Sequence, residues 1–163
     1  MSYNPRHQMI SRDELQQRMQ ASARNVFSVM ADIALEECFE GPDELQTDWV
    51  TALLGFEGSY SGLVALHCPE PLARRITAGL LRVGEVAVHD VHDAMGEVVN
   101  ILGGDMKLFL GSRGRGIQLS SPSVFAGYGE FYAEFLLVPE TVTCTMAAGD
   151  ERLLIGVQVS RGD

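Results

Sequence analysis

The most chemically loaded stretch of this sequence is Asp93-Ala94-Met95-Gly96-Glu97-Val98-Val99-Asn100-Ile101-Leu102-Gly103-Gly104-Asp105. Within it a carboxylate, Glu97, and a carboxamide, Asn100, stand three residues apart. On a helix that spacing puts them about 60° apart around the axis and about one turn along it, so both face the same way. A carboxamide has one acceptor and two donors, so it holds and orients a water without competing as a nucleophile. Val98, Ile101 and Leu102 occupy the other side, as in a helix that builds a core with one face and shows polar groups on the other. Glycines 96, 103 and 104 each cost about 1 kcal/mol relative to alanine in a helix. Three of them imply that another backbone or a partner comes close. Taken on spacing alone, the alternative is a solvated polar face with packing glycines.

Other clusters carry less. His89 and His92 lie one turn apart beside Asp90 and Asp93, but a catalytic metal normally needs three protein ligands and support behind them. The expectation is a solvated helix start and no metal. Gly111-Ser112-Arg113-Gly114-Arg115-Gly116 lacks the Lys-Ser/Thr ending of a phosphate-binding loop and follows a helix instead of preceding one, so it reads as a turn. The Arg161-Gly162-Asp163 tripeptide is read as chance. Cys38, Cys68 and Cys144 are odd in number, widely spaced and set in apolar stretches, which points to reduced core residues.

The elements that must position the pair follow from periodicity. Residues 1–10 read as a lead-in, and 11–163 as one domain. Ser11-Arg12-Asp13-Glu14 is a capping box. Behind it Leu15, Met19, Ala23, Val26, Met30, Ile33 and Ala34 predict a helix of about 25 residues that Gly41-Pro42 stops near Phe39. Residues 48–56 and 60–68 read as a hairpin around Glu57-Gly58-Ser59. Leu72, Ile76, Leu80 and Leu81 mark a second helix after Pro69-Glu70-Pro71, and a third runs from about Asp90 to Leu110. A short strand at 117–119, an irregular stretch at 125–129, and strands at 130–138, 141–148 and 152–159 complete the chain. Such segregation predicts an α+β fold: a largely antiparallel sheet with long helices on one face, and an internal pseudo-two-fold.

The chain has 22 acidic residues against 12 basic ones, a formal net charge of −10, and Lys107 is its one lysine. So acidic a surface repels phosphate backbones and anionic membranes, so neither nucleic acid nor a membrane is an expected partner. No apolar run approaches the roughly 20 residues of a spanning helix. The polar N-terminal residues lack the apolar stretch of a secretion signal, so the expected location is cytoplasmic.

The helical segment resembles the signature of the CheC/CheX family of chemotaxis phosphatases: an acidic residue, then Glu-x-x-Asn, then Gly and a small polar residue. Asp93, Glu97, Asn100 and Gly104 match, Asp105 stands where the family usually has Asn, and Lys107 and Leu110 continue the pattern. Phe56-Glu57-Gly58-Ser59-Tyr60-Ser61-Gly62 and Leu119-Ser120-Ser121-Pro122-Ser123-Val124 are similar to its flanking segments, so the likeness spans about 48 to 160. Two motifs mark CheC-like members. The first helix offers only Glu36-Glu37-Cys38-Phe39-Glu40, with no Asn three residues after either Glu, so the chain is closest to the single-motif CheX type. The resemblance implies hydrolysis of the aspartyl phosphate on a CheY-like receiver domain. Asn100 would position the water and Glu97 would pair with the receiver's Lys. Asp93, Gly96, Gly104 and Asp105 would border the partner. It implies a homodimer, no cofactor bound by this chain, and a Mg²⁺ carried by the receiver. The competing implication is a non-catalytic module that grips a receiver or a flagellar-switch protein with the same surface.

Overall fold

A computed structural model describes residues 10–41, 48–110, 116–127 and 132–161. Helix α1 spans Arg12–Ala31, and strand β1 Glu36–Cys38. Strands β2 (Trp49–Gly58) and β3 (Tyr60–Pro69) form the hairpin, followed by helices α2 (Glu70–Leu81) and α3 (Val88–Phe109). Strands β4 (Ile117–Leu119), β5 (Ser123–Gly127), β6 (Val142–Ala148) and β7 (Glu151–Arg161) complete one seven-stranded sheet in the order β1-β6-β7-β3-β2-β4, with β5 also on β2. Every described pairing is antiparallel.

Alternation along the strands sorts the side chains. Val50, Ala52, Leu54 and Phe56 of β2, Val64, Leu66 and Cys68 of β3, and Leu153, Ile155 and Val157 of β7 meet the helices in the main core. Burying each of the larger ones is worth about 1.5–3 kcal/mol. From α3 the core takes Val91, Met95, Val98, Val99, Leu102 and Met106. That apolar stripe fixes the rotation of α3 and turns Glu97 and Asn100 outward, where both are exposed.

The strand order reads the same from either side of the β3–β7 seam. Helix, edge strand and hairpin occur twice, as α1–β1–β2–β3 and as α3–β4/β5–β6–β7, with α2 inserted between. Each unit's edge strand pairs with the other unit's hairpin. The helices share a burial pattern: Leu15, Met19, Gln20, Ser22, Ala23, Val26 and Phe27 match Val91, Met95, Gly96, Val98, Val99, Leu102 and Gly103.

Three sequence expectations change. Helix α1 ends at Ala31, not near Phe39: Asp32 adopts the left-handed conformation (φ 55°) and its N–H bonds back to Phe27 O. Ile33 and Leu35 continue the apolar pattern but do so in extended chain, and Glu36–Cys38 pairs with Thr145–Ala147 of β6. Residues 125–127, expected to be irregular, belong to β5. Of the strand expected at 130–138, residues 132–136 form one π-helical turn. Its Phe135 and Leu136 pack with Ala65 and Leu154 on the face of the sheet away from the helices. Leu136 fits because a Cβ on Gly156 would lie 2.4 Å from its Cδ2. Cys68 and Cys144 are buried, and burial raises the Cys144 thiol to about 12; Cys38 is half-buried on the edge strand. The lead-in 1–9, Pro42, the turn 111–115 with Arg113 and Arg115, residues 128–131, and Gly162-Asp163 lie outside the described residues. No described helix is long and apolar enough to cross a membrane.

Candidate functional site

Helix α3 begins where Asp90 caps it: Asp90 Oδ2 accepts the Ala87 N–H at 3.1 Å. His89 is exposed beside Asp90, with Nε2 3.3 Å from Oδ1. Among the described residues no three His, Cys, Asp or Glu side chains gather as a metal site. One turn on, the outward face of α3 forms one side of an open cavity of about 670 Å³, with His92, Asp93, Gly96, Glu97 and Asn100. Leu119 of β4, Val124 of β5 and Ser120, Ser121 and Pro122 between them form the other. Gly96 lies where the two sides meet. A Cβ there would stand 3.5 Å from both Pro122 Cγ and Val124 Cγ2, an ordinary contact distance.

The lining has two exposed carboxylates, Asp93 and Glu97, one exposed carboxamide and no Lys or Arg among the described residues. It is therefore an acidic surface that attracts cationic groups and repels a free anion. A phosphorylated group would be drawn in only if it arrived with its own cations.

Four of the six residues expected from the sequence line this cavity: Asp93, Gly96, Glu97 and Asn100. Gly104 and Asp105 do not. Asp105 points to α1, where its carboxylate accepts a hydrogen bond from Ser22 Oγ and borders a separate cavity with Arg18, Asn25 and Phe109. Five residues separate Asn100 from Asp105, which turns Asp105 about 140° away around the helix. Its carboxylate therefore ties α3 to α1. The sequence singled out His92 only as a weak metal candidate, and the β4–β5 wall only as a supporting likeness.

The first helix departs further. Glu36 and Glu37 lie on β1, not on a helix, and Gln20 Nε2 donates to Glu37 Oε1 at 3.3 Å. In the register set by the burial match, Glu97 and Asn100 correspond to Ala21 and Arg24. The first half of the repeat thus carries neither member of the pair.

The adjacent glycines of α3 differ in surroundings, and so in expected effect. A Cβ on Gly103 would meet Leu54 Cδ2 at 2.1 Å, and Leu54 is 1% exposed with little room to move. A Cβ on Gly104 meets nothing within 4 Å. Gly103→Ala is expected to destabilise by about 1–3 kcal/mol through overpacking. Gly104→Ala is expected to stabilise by up to about 1 kcal/mol through helix propensity. Urea unfolding of both variants checks this, and shifts of the same sign contradict it.

The profile of the family described as chemotaxis phosphatase CheX matches residues 50–134, which hold the hairpin, α2, α3 and the wall of the cavity. A search of curated proteins returns no match. Among solved structures, the chemotaxis protein CheX from Vibrio vulnificus is similar with a TM-score of 0.72 and 22% identity, covering 93% of this chain and all (100%) of that one. CheX in a complex with CheY, BeF₃ and Mg²⁺ from Borrelia burgdorferi is similar with a TM-score of 0.63 and 15% identity, over 89% of this chain and 97% of that one. The middle domain of FliM from Vibrio alginolyticus is also similar, with a TM-score of 0.53 and 12% identity over 89% of each chain. These likenesses show a shared fold, and the profile match, which covers more than half of the 163 residues, shows the lineage: this chain belongs to the CheX family of chemotaxis phosphatases.

Proposed function

We propose that this protein hydrolyses the aspartyl phosphate of a CheY-like receiver domain, with the outward face of α3 as its working surface. The observation that carries this reading is the pairing of Glu97 and Asn100, both exposed, in one cavity of a fold of this family. The complex of a similar protein with CheY supports the choice of partner.

In the reaction the oxygen of a water attacks phosphorus while the bond from phosphorus to the aspartyl oxygen breaks. The bonding electrons leave with the carboxylate, a proton passes to solvent, and inorganic phosphate is released. Such transfers need little covalent chemistry from a protein and gain chiefly from positioning and charge stabilisation. Asn100 would accept a hydrogen bond from the water or donate one to it, and so hold its oxygen in line with phosphorus. Glu97 repels phosphoryl oxygens, so its place is on the receiver's Lys, where a charge-assisted hydrogen bond fixes the register of the two surfaces. The Mg²⁺ that neutralises the phosphoryl group would arrive with the receiver. It would let the acidic rim of Asp93 and Glu97 approach an otherwise repelled anion.

These roles separate in kinetics. Glu97→Gln keeps the shape and loses the charge. It is expected to raise KM for the phosphorylated receiver on the order of tenfold, with kcat changed much less, because it weakens docking by about 1.4 kcal/mol. An initial-rate series over receiver concentration checks this, and an unchanged KM contradicts the docking role.

The other reading, a module that grips a receiver or switch protein without turnover, draws support from the FliM domain of similar fold. The exposed carboxamide beside the carboxylate favours catalysis over it.

A further inference from the structure

The wall that faces Glu97 and Asn100 is a β-bulge. Strand β4 pairs Leu119 with Phe56, and β5 pairs Ser123 with Leu53, both against the same edge of β2. Between those pairs β2 contributes two residues, Leu54 and Gly55, and the opposite chain contributes three, Ser120, Ser121 and Pro122. In a regular antiparallel ladder, every second opposed pair exchanges two backbone hydrogen bonds. Here only one is backbone to backbone: the Ser120 N–H donates to Gly55 O at 2.8 Å. The return bond goes from the Gly55 N–H to Ser120 Oγ at 2.9 Å, so the hydroxyl takes the place of the carbonyl. Ser120 Oγ in turn donates to Ser121 O at 3.2 Å. The hydroxyl thus ends the regular ladder, satisfies the amide that the bulge would strand, and turns the next peptide toward α3.

Two other observations place this clamp at the site. Ser120 and Leu119 border both the cavity of Glu97 and Asn100 and a second cavity of about 290 Å³ with Gly55, Glu57 and Gln118, so the bulge is the ridge between them. On the far side of the bulge, Pro122 and Val124 lie at contact distance from the position a Cβ on Gly96 would take. Bulges bend a strand and re-aim its side chains, and they recur beside active sites.

We infer that Ser120 is a positioning residue: its hydroxyl, bonded to the Gly55 amide, sets the bulge whose ridge fixes the width of the cleft over Glu97 and Asn100. This rests on the phosphatase reading above. It extends that reading to a residue that acts through the bulge it holds.

The test is steady-state hydrolysis of a phosphorylated CheY-type receiver by wild type, Ser120→Ala and Ser120→Thr, with amide hydrogen exchange at Gly55. In Ser120→Ala, kcat is expected to fall on the order of tenfold, equivalent to about 1.4 kcal/mol of barrier, with KM within about twofold of wild type. Ser120→Thr keeps the hydroxyl and is expected to hold kcat within about twofold of wild type. Gly55 exchange is expected to quicken only in the alanine variant. Wild-type kcat in Ser120→Ala, or a threonine variant as slow as the alanine one, overturns the inference. Should Ser120→Ala fail to fold, Gly55→Ala replaces it: the added Cβ, 3.3 Å from Ser120 Oγ, asks the hydroxyl to shift by a few tenths of an ångström and so perturbs the clamp without removing it. Wild-type kcat in folded Gly55→Ala overturns the inference as well. A wild type that does not accelerate hydrolysis overturns the phosphatase reading and this one together, whereas an active wild type with an unaffected Ser120→Ala overturns this one alone.

Discussion

Replacing Asn100 by Ala is expected to lower the rate of receiver dephosphorylation on the order of 100-fold, the scale of losing one preorganised hydrogen-bonding group at a reacting centre. Asn100 is exposed on a helix whose opposite face is anchored by Val98, Val99 and Leu102. Its removal should therefore leave stability within about 0.5 kcal/mol of wild type, as for ordinary surface substitutions. Asn100→Asp sharpens the test. It has nearly the same shape, but it loses both donors and adds a negative charge toward the phosphoryl oxygens, so it should be at least as slow as Asn100→Ala. An aspartate variant with wild-type rate would show that donation by the carboxamide is unimportant. Decay of the radiolabelled phosphoryl group on the receiver reads all three proteins.

The second large effect concerns stability. His67, on the face of the sheet away from the helices, is 1% exposed. Its ring stacks on Trp49 at 4.2 Å between centroids, and its Nδ1 shares a 2.6 Å hydrogen bond with Thr51 Oγ1. Burial lowers its pKa to about 4 from the model-peptide 6.5. Between those values the unfolded chain binds the proton and the folded one does not. The neutral ring's contribution is therefore fully present above pH 6.5, declines as pH falls through that window, and is gone below about pH 4. The difference is worth about 3 kcal/mol. Chemical denaturation of wild type and His67→Phe at pH 7.5 and pH 4 measures it, since other titrating groups affect both proteins alike. Wild type is expected to lose about 3 kcal/mol more than the variant. Parallel losses contradict a buried neutral imidazole.

What the sequence showed depended on whether the deciding interaction was local. The hairpin, α2, α3, β6 and β7 follow from period-2 and period-3.6 patterns, and the Glu97–Asn100 face follows from spacing on α3 alone. The end of α1 was not legible because Ile33 extends the same apolar period while the backbone has already reversed at Asp32. The run around Phe135 and Leu136 suits a strand by composition. It forms a π-helical turn because it must cover Ala65 and Leu154 and fit over Gly156, which are distant in sequence. Strand β5 is mostly exposed and polar or small, so no buried alternation announced it. At the site, the five-residue offset already turns Asp105 away from Asn100 on the helix, but what it faces, Ser22 of α1, is a contact between segments distant in sequence. The wall's segment was visible only as a likeness, because its bulge is a property of register between Ser120 and Gly55, not of either segment.

The proposed activity is turnover of a phosphorylated receiver at this surface. The most direct measurement is inorganic phosphate release from a phosphorylated CheY-type receiver in excess over the protein, with and without it. Release well above the receiver's intrinsic rate is expected, with each protein molecule clearing many receivers. Release at the intrinsic rate from a receiver shown to be bound would contradict it, and would identify the surface as a binding module.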